Sequence, residues 1–174
     1  MRYIYLVRHA KSSWKDKLLS DRQRPLNKRG KENAPMMAER LKERDGIPEL
    51  IVSSPAKRAQ MTANTLAAVI GYDSEQITTD ERLYFQDMEG ILEVIQDTPE
   101  TANSVMIVGH NPDMTDLLNL MAGHVTGNMP TCAIATILIK GKWSSTLGRY
   151  HRIKKIKIMH KHNEAKDYSF GAMD

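Results

Sequence analysis

Two histidines and two arginines stand where short apolar runs stop. Arg8 and His9 follow Tyr3-Ile4-Tyr5-Leu6-Val7, and His110 follows Val105-Met106-Ile107-Val108-Gly109. Lys57 and Arg58 come shortly after Leu50-Ile51-Val52-Ser53. An imidazole is neutral near pH 7 without heavy tuning, so it can serve as a nucleophile or a proton carrier. A guanidinium is planar and permanently charged, and it matches the oxygens of a carboxylate or a phosphoryl group. Either group at the end of a core strand is costly to desolvate unless it has a partner or a task. Arg8-His9 alone would fit a strand end reaching solvent. Three such ends together form a constellation able to hold an anion and act on it.

The sequence predicts the elements needed to bring these residues together. Asn27 is a suitable N-cap for a helix to about Arg44, with Ala34, Met37, Ala38 and Leu41 at helical spacing and Gly46 beyond its end. Pro35 predicts a kink or a restart in it. Ser54 as cap and Pro55 as first helical residue would place Lys57 and Arg58 in a first turn, where positive charge opposes the helix dipole unless an anion binds there. A weak strand is expected around 76–79. Asp87 and Glu89 would open a helix burying Ile91, Leu92 and Ile95. Asn111 would cap, and Pro112 open, a helix bearing Met114, Leu117, Leu118 and Met121, ended by Gly123. Residues 133–139 are expected to form another strand. Ile156 and Ile158, alternating with Lys155 and Lys157, predict an edge strand or arm, and the residues from His160 a loose tail. Strands alternating with helices imply a three-layer α/β/α sandwich with a mostly parallel central sheet, whose ligands bind beyond the carboxyl ends of the strands. The strands ending at His9, Ser53 and His110 are expected to be neighbours.

Composition sets outer bounds. The 174 residues, 41% hydrophobic and 26% charged, suit one globular domain over 1–150 followed by a basic segment, 151–174. Residues 1–139 carry 16 Lys and Arg against 18 Asp and Glu, whereas residues 140–174 carry 9 against 3, so the net charge of +4 is a C-terminal feature. That excess fits a solvated edge better than a nucleic-acid surface, because only Trp143 and Tyr150 interleave it. A lone cysteine, Cys132, excludes an intramolecular disulfide and fits a reducing cytoplasm; it reads as a packed core thiol. No apolar run has membrane-spanning length. No Walker loop, metal-ligand cluster or Gly-rich dinucleotide turn is present, and His160 with His162 is too sparse a pair to carry weight, so no cofactor or metal is expected.

Arg-His-Ala-Lys-Ser-Ser-Trp at 8–14, Arg24-Pro25-Leu26-Asn27 with Gly30, Ser53-Ser54-Pro55 with Arg58, Ala59, Thr62 and Ala63, and Gly109-His110-Asn111-Pro112 resemble the histidine phosphatase superfamily. Within it the chain is most similar to the small SixA-type phosphohistidine phosphatases, with a phosphoglycerate mutase-like fold. The four motifs occur in the family's order over about residues 1 to 140. The resemblance implies a metal-independent phosphatase in which His9 is the nucleophile, Arg8 and Arg58 bind the phosphoryl group, and His110 stabilises the transferring charge. Arg24 and Asn111 become substrate-binding candidates, and Asp87 and Glu89 possible proton donors by position only. Related proteins often carry an acid just before the arginine corresponding to Arg24. Here that position is Gln23, so its orienting role is absent or passes to Asp21. The implied substrate is phosphohistidine in a protein, with small phosphate esters as the alternative. The sequence does not fix the oligomeric state; a monomer is favoured. A non-catalytic phosphoprotein-binding module is the rival from another class, and a mutase lacks the acid and capping segments it would need.

Overall fold

The computed structural model describes residues 1–146 and 153–161, together with the backbone of 163–169. Its N-terminal apolar run is strand β1 (Arg2–Arg8), followed by α1 (Lys28–Arg44), β2 (Leu50–Ser53), α2 (Lys57–Ile70), β3 (Thr78–Thr79) and α3 (Asp87–Gln96). Then come β4 (Ser104–Gly109), α4 (Asp113–Ala122), β5 (Ile134–Ile139), β6 (Ile153–His160) and β7 (Asn163–Ser169). One seven-stranded sheet has the order β3-β2-β4-β1-β5-β6-β7. Strands β1 to β4 pair in parallel, and β5, β6 and β7 add antiparallel, so only β5 and β7 run against the rest.

Alternation along β1 builds the three layers. Ile4 and Leu6 point into a core shared with α3 and α4, while Tyr5 and Val7 point into one shared with α1 and α2. Central β4 is buried at every residue, as a parallel strand covered on both faces must be. Registers Arg8↔Gly109 and Ser53↔Val108 bring the ends of β2, β4 and β1 to one level. His9, Ser54 and His110 therefore leave the sheet side by side.

Four local expectations are corrected. Helix α2 starts at Lys57 with Ala56 as cap, not at Pro55 behind Ser54; the Ser54 hydroxyl oxygen accepts from the Ala56 N–H at 3.3 Å and also meets His110 at 2.7 Å. Helix α4 starts at Asp113 with Pro112 at its cap; the Asn111 amide instead donates to Asn128 Oδ1 and the Met129 carbonyl. Helix α1 runs through Pro35 unbroken. The carbonyl deprived of a partner there belongs to exposed Lys31, where water can serve it. Strand β6 is not at the edge, because β7 forms where a loose tail was expected and Ile156, Ile158 and Met159 are buried. Lys157 is anchored to Asp45 at 3.1 Å. Trp143 is fully buried with its indole N–H on the Ala102 carbonyl, so it offers no surface for base stacking. Tyr150, His162 and residues 170–174 lie outside the described residues. No described helix is long and apolar enough to cross a membrane.

The loop from 11 to 27 is fastened to the start of α1. The Asn27 N–H donates to the Lys11 carbonyl at 2.9 Å, and Asn27 Oδ1 accepts from the Gly30 N–H at 2.9 Å. A Cβ on Gly30 would lie 2.3 Å from that same carbonyl oxygen. Gly30→Ala is expected to cost about 1–3 kcal/mol and lower the Tm by roughly 2–10 °C in a thermal melt. An unchanged Tm would show that the loop yields freely.

Candidate active site

His9 sits one residue beyond β1, its N–H donating to the Gly109 carbonyl at 3.0 Å. The next amide, Ala10, donates to Thr62 Oγ1 at 3.0 Å, and the Thr62 hydroxyl donates to the Arg58 carbonyl at 2.7 Å. His9 Nδ1 lies 2.7 Å from the Ala10 carbonyl, which only accepts, so Nδ1 carries the proton and Nε2 the lone pair. Arg58 Nε donates to that lone pair at 3.3 Å. Burial lowers the His9 pKa to about 4; the Ala10 bond, the next largest influence, opposes it, and the charges of Arg58, Arg8 and Arg24 add to the lowering. His9 is therefore a neutral imidazole with its free nitrogen facing guanidinium.

Arg58 is 1% exposed, and a buried guanidinium needs anionic or carbonyl partners. Asp21 supplies them. Arg58 Nη1 donates to its carbonyl at 2.6 Å and Nη2 to its Oδ2 at 2.9 Å. Arg24 Nε and Nη2 donate to its other oxygen, Oδ1, at 3.1 and 2.7 Å. The Tyr84 hydroxyl donates to Oδ2 at 2.9 Å. Burial acts to raise the Asp21 pKa, but these hydrogen bonds and the Arg58 charge outweigh it and hold the group at about 2. Of the two outcomes left open by Gln23, the structure takes the second: Asp21 holds both arginines. The sequence signal is the three-residue spacing across a 3-10 turn, Asp21–Gln23, which sets Asp21 beside Arg24.

His110 faces His9 with ring centroids 5.0 Å apart. Its Nδ1 accepts from Arg58 Nη2 at 3.2 Å, so in the neutral ring Nε2 carries the proton and donates to Ser54 Oγ at 2.7 Å. Burial, with the His9 and Arg58 charges, lowers its pKa to about 3. Arg8 stands beside this group. Its Nη1 donates to the Met129 carbonyl at 2.7 Å, and the Asn111 amide shares that acceptor at 3.1 Å. Arg8 Nε and Asn111 Oδ1 are buried without a protein partner. A buried guanidinium N–H without an acceptor is costly, which sets Arg8 Nε apart from the fully paired Arg58.

The structure thus gathers His9, Arg24, Arg58 and His110 into one hydrogen-bonded unit, and Arg8 and Asn111, the chain neighbours of His9 and His110, are joined to each other at the Met129 carbonyl. Asp87 and Glu89 show no hydrogen bond to any of these; they open α3, and their charges contribute to raising the pKa of Asp113, whose own burial is the main cause. The sequence reading missed Asp113, Tyr84 and the Asn128-Met129 loop, and named Thr62 only within a motif, without a role. Thr62 and Asp113 had detectable signals, being polar residues on the buried faces of α2 and α4. Phe85 and Asp87 occupy the left-handed backbone region, φ 53° and 61°, each costing about 1–3 kcal/mol unless held by its surroundings. Cys132 is buried, and that burial pushes its thiol up to about 12.

A family profile, the histidine phosphatase superfamily (branch 1), matches residues 4–104. The chain belongs to that superfamily. Within the superfamily it is built like the SixA proteins. SixA from Agrobacterium tumefaciens is 31% identical, with a TM-score of 0.70 over 78% of this chain and 90% of that one. The protein histidine phosphatase SixA complexed with tungstate is 25% identical, with a TM-score of 0.70 over 79% of this chain and 88% of that one. An uncharacterized chloroplastic protein of Arabidopsis thaliana is 30% identical over 145 residues, 78% of this chain but 66% of its own length.

Two measurements follow from the charge arrangement. Unfolded His9 binds a proton near pH 6.5 but the folded residue only near 4, so stability falls as pH drops through that window. His9→Asn, which cannot titrate, is expected to lose less Tm than wild type between pH 6.5 and 4; equal losses would place the linkage elsewhere. Asp21→Asn leaves Arg24 and Arg58 without their shared counter-charge. It is expected to lower kcat/KM by about tenfold to a hundredfold through misplacement of the guanidiniums. Unchanged kinetics would make the bridge dispensable.

Proposed function

We propose that this chain is a metal-independent phosphatase that works through a phosphohistidine on His9 and acts on phosphohistidine in proteins. The observation that carries the reading is a neutral, buried imidazole whose unprotonated Nε2 meets the Arg58 guanidinium, with the charges of Arg8 and Arg24 near enough to act on it. Phosphoryl transfer needs mainly an in-line nucleophile and neutralisation of the three outer oxygens, and the guanidiniums can provide that charge from the protein itself. In the first step the bond from His9 Nε2 to phosphorus forms as the bond to the leaving group breaks, with the proton on Nδ1 held by the Ala10 carbonyl. In the second, water attacks phosphorus and the Nε2–P bond breaks. One water proton stays on the released phosphate, the other passes to solvent, and His9 returns to its starting tautomer. His110 faces the transferring group, where a proton on Nδ1 would let it donate to an outer oxygen in place of accepting from Arg58.

The phosphohistidine substrate is favoured by the proton inventory. Asp21 is ionised, and neither Asp87 nor Glu89 bonds to the site, so none of these three carboxyls holds a proton against a leaving atom. A leaving imidazole whose second nitrogen already carries a proton departs neutral and requires none, whereas an alkoxide requires one. The SixA relatives support the same substrate class.

The test is phosphate release, in chelator, from a phosphohistidine-bearing protein and an aryl phosphate in parallel. Turnover of both, with the protein preferred, is expected; turnover of the ester alone would move the substrate to small molecules. No release and no acid-labile phosphoenzyme would leave a binding module. His9→Ala is expected to lose activity by more than about a thousandfold while its far-UV circular dichroism persists, since His9 lies beyond the strand end. Activity near wild type would exclude His9 as nucleophile.

A further inference from the structure

Phe85 is placed in a way that packing does not explain. It is 49% exposed and belongs to neither hydrophobic core cluster. Its backbone lies at φ 53°, a region a bulky side chain rarely adopts. Its ring nevertheless lies 4.9 Å from the His110 ring at an interplanar angle of 33°, closer to stacked than to edge-on. Tyr84 braces it from the side, with centroids 4.9 Å apart, while meeting His110 edge-on at 5.5 Å. The hydroxyl of Tyr84 is in turn fixed on Asp21. The unusual turn therefore presents one aromatic face to a residue of the phosphoryl site and leaves the rest of the ring toward solvent.

In an in-line displacement the leaving group departs on the side of phosphorus opposite His9 Nε2. His9, His110 and the strand ends form the floor, so the leaving group must project away from them, toward the side on which half-exposed Phe85 packs over buried His110. A flat π-system there can stack on the ring, as aromatic pairs do at centroid separations of 4.5–7 Å. We propose that Phe85 is a leaving-group shelf, specific for a planar ring bonded directly to phosphorus: the imidazole of a phosphohistidine, or an aryl ring. This rests on the phosphatase reading above and adds to it a residue that selects the leaving group by shape.

The test compares wild type, Phe85→Ala, Phe85→Leu and Phe85→Tyr on four probes. Phosphoimidazole and a phosphohistidine peptide carry the ring on nitrogen, phenyl phosphate carries it on oxygen, and phosphoramidate has the P–N bond with no ring. Phe85→Ala is expected to raise KM for the ring probes by about threefold to tenfold and to leave phosphoramidate within about twofold. Phe85→Leu keeps apolar bulk but no π face and should resemble the Ala variant, whereas Phe85→Tyr should restore wild-type behaviour. Losing all probes equally, or none, would overturn the shelf while leaving the phosphatase standing. So would a Leu variant equal to wild type, which would mean that the side chain only screens His110 from water. Wild type inactive on every probe would overturn the phosphatase reading itself, and the shelf with it. Among ring probes, a Phe85→Ala effect on the nitrogen-linked pair alone assigns the shelf to imidazole, and one on phenyl phosphate as well assigns it to planar rings generally.

Discussion

Guanidiniums that converge on one point repel each other, and every functional feature of this crevice is arranged around that repulsion. Asp21 resolves it by placing one carboxylate oxygen on Arg24 and the other on Arg58, with its own carbonyl on Arg58 as well. Arg58 is buried but the Asp21 side chain is 43% exposed, so water screens part of the attraction; without the carboxylate the two guanidiniums would lose their shared counter-charge. The bridge also fixes direction. With Nη1 and Nη2 of Arg58 tied toward Asp21, its Nε is aimed at His9 and its remaining reach is toward His110.

The same field decides what the histidines are. Burial and surrounding positive charge both disfavour imidazolium, so His9 and His110 are kept neutral well below the pH at which a free histidine protonates. Neutrality serves the two rings differently. In His9 it exposes a lone pair on Nε2, because the Ala10 carbonyl claims the proton on Nδ1. In His110 it directs the proton toward Ser54 and leaves Nδ1 as an acceptor for Arg58. A phosphoryl dianion in the crevice would offset the net positive charge of Arg8, Arg24, Arg58 and Asp21 and so favour protonation of His110, which would link anion binding to the charge state of the site.

All this is levelled by the sheet. Parallel pairing of β2, β4 and β1 fixes the heights of Ser54, His110 and His9 to within the register of the strands. The loop that carries Asp21 and Arg24 is then brought over these ends by backbone bonds at Ser13–Pro25 and Lys11–Asn27, and by the close approach at Gly30. Trp14 lies over the Arg24 guanidinium at 3.5 Å, a cation–π contact that covers Arg24 away from its carboxylate.

The sequence by itself determined the parts whose signals are local. Apolar runs ending at Arg8-His9 and Gly109-His110 place imidazoles at strand ends, and period-3.6 stripes such as Ala59, Ala63, Leu66 and Ile70 give the covering helices. Those signals, with the four motifs, were enough for the layers, the order of elements, and His9, Arg24, Arg58 and His110 as a group. What the local code misjudged were the helix starts after Ser54 and Asn111, residues that also bind His110 and the 128–129 loop across the site, and the C-terminal strands, whose pairing depends on β5. Only the tertiary structure decided that Asp21 takes the counter-charge role, that Asp87 and Glu89 stay out of the hydrogen-bonded site, and that Tyr84 and Phe85 wall it. The physical reason is distance along the chain. Asp21 meets Arg58 across 37 residues, Ser54 meets His110 across 56, and Tyr84 meets Asp21 across 63. Such contacts exist only after the sheet has set the strand ends level, and no periodicity in the chain encodes them.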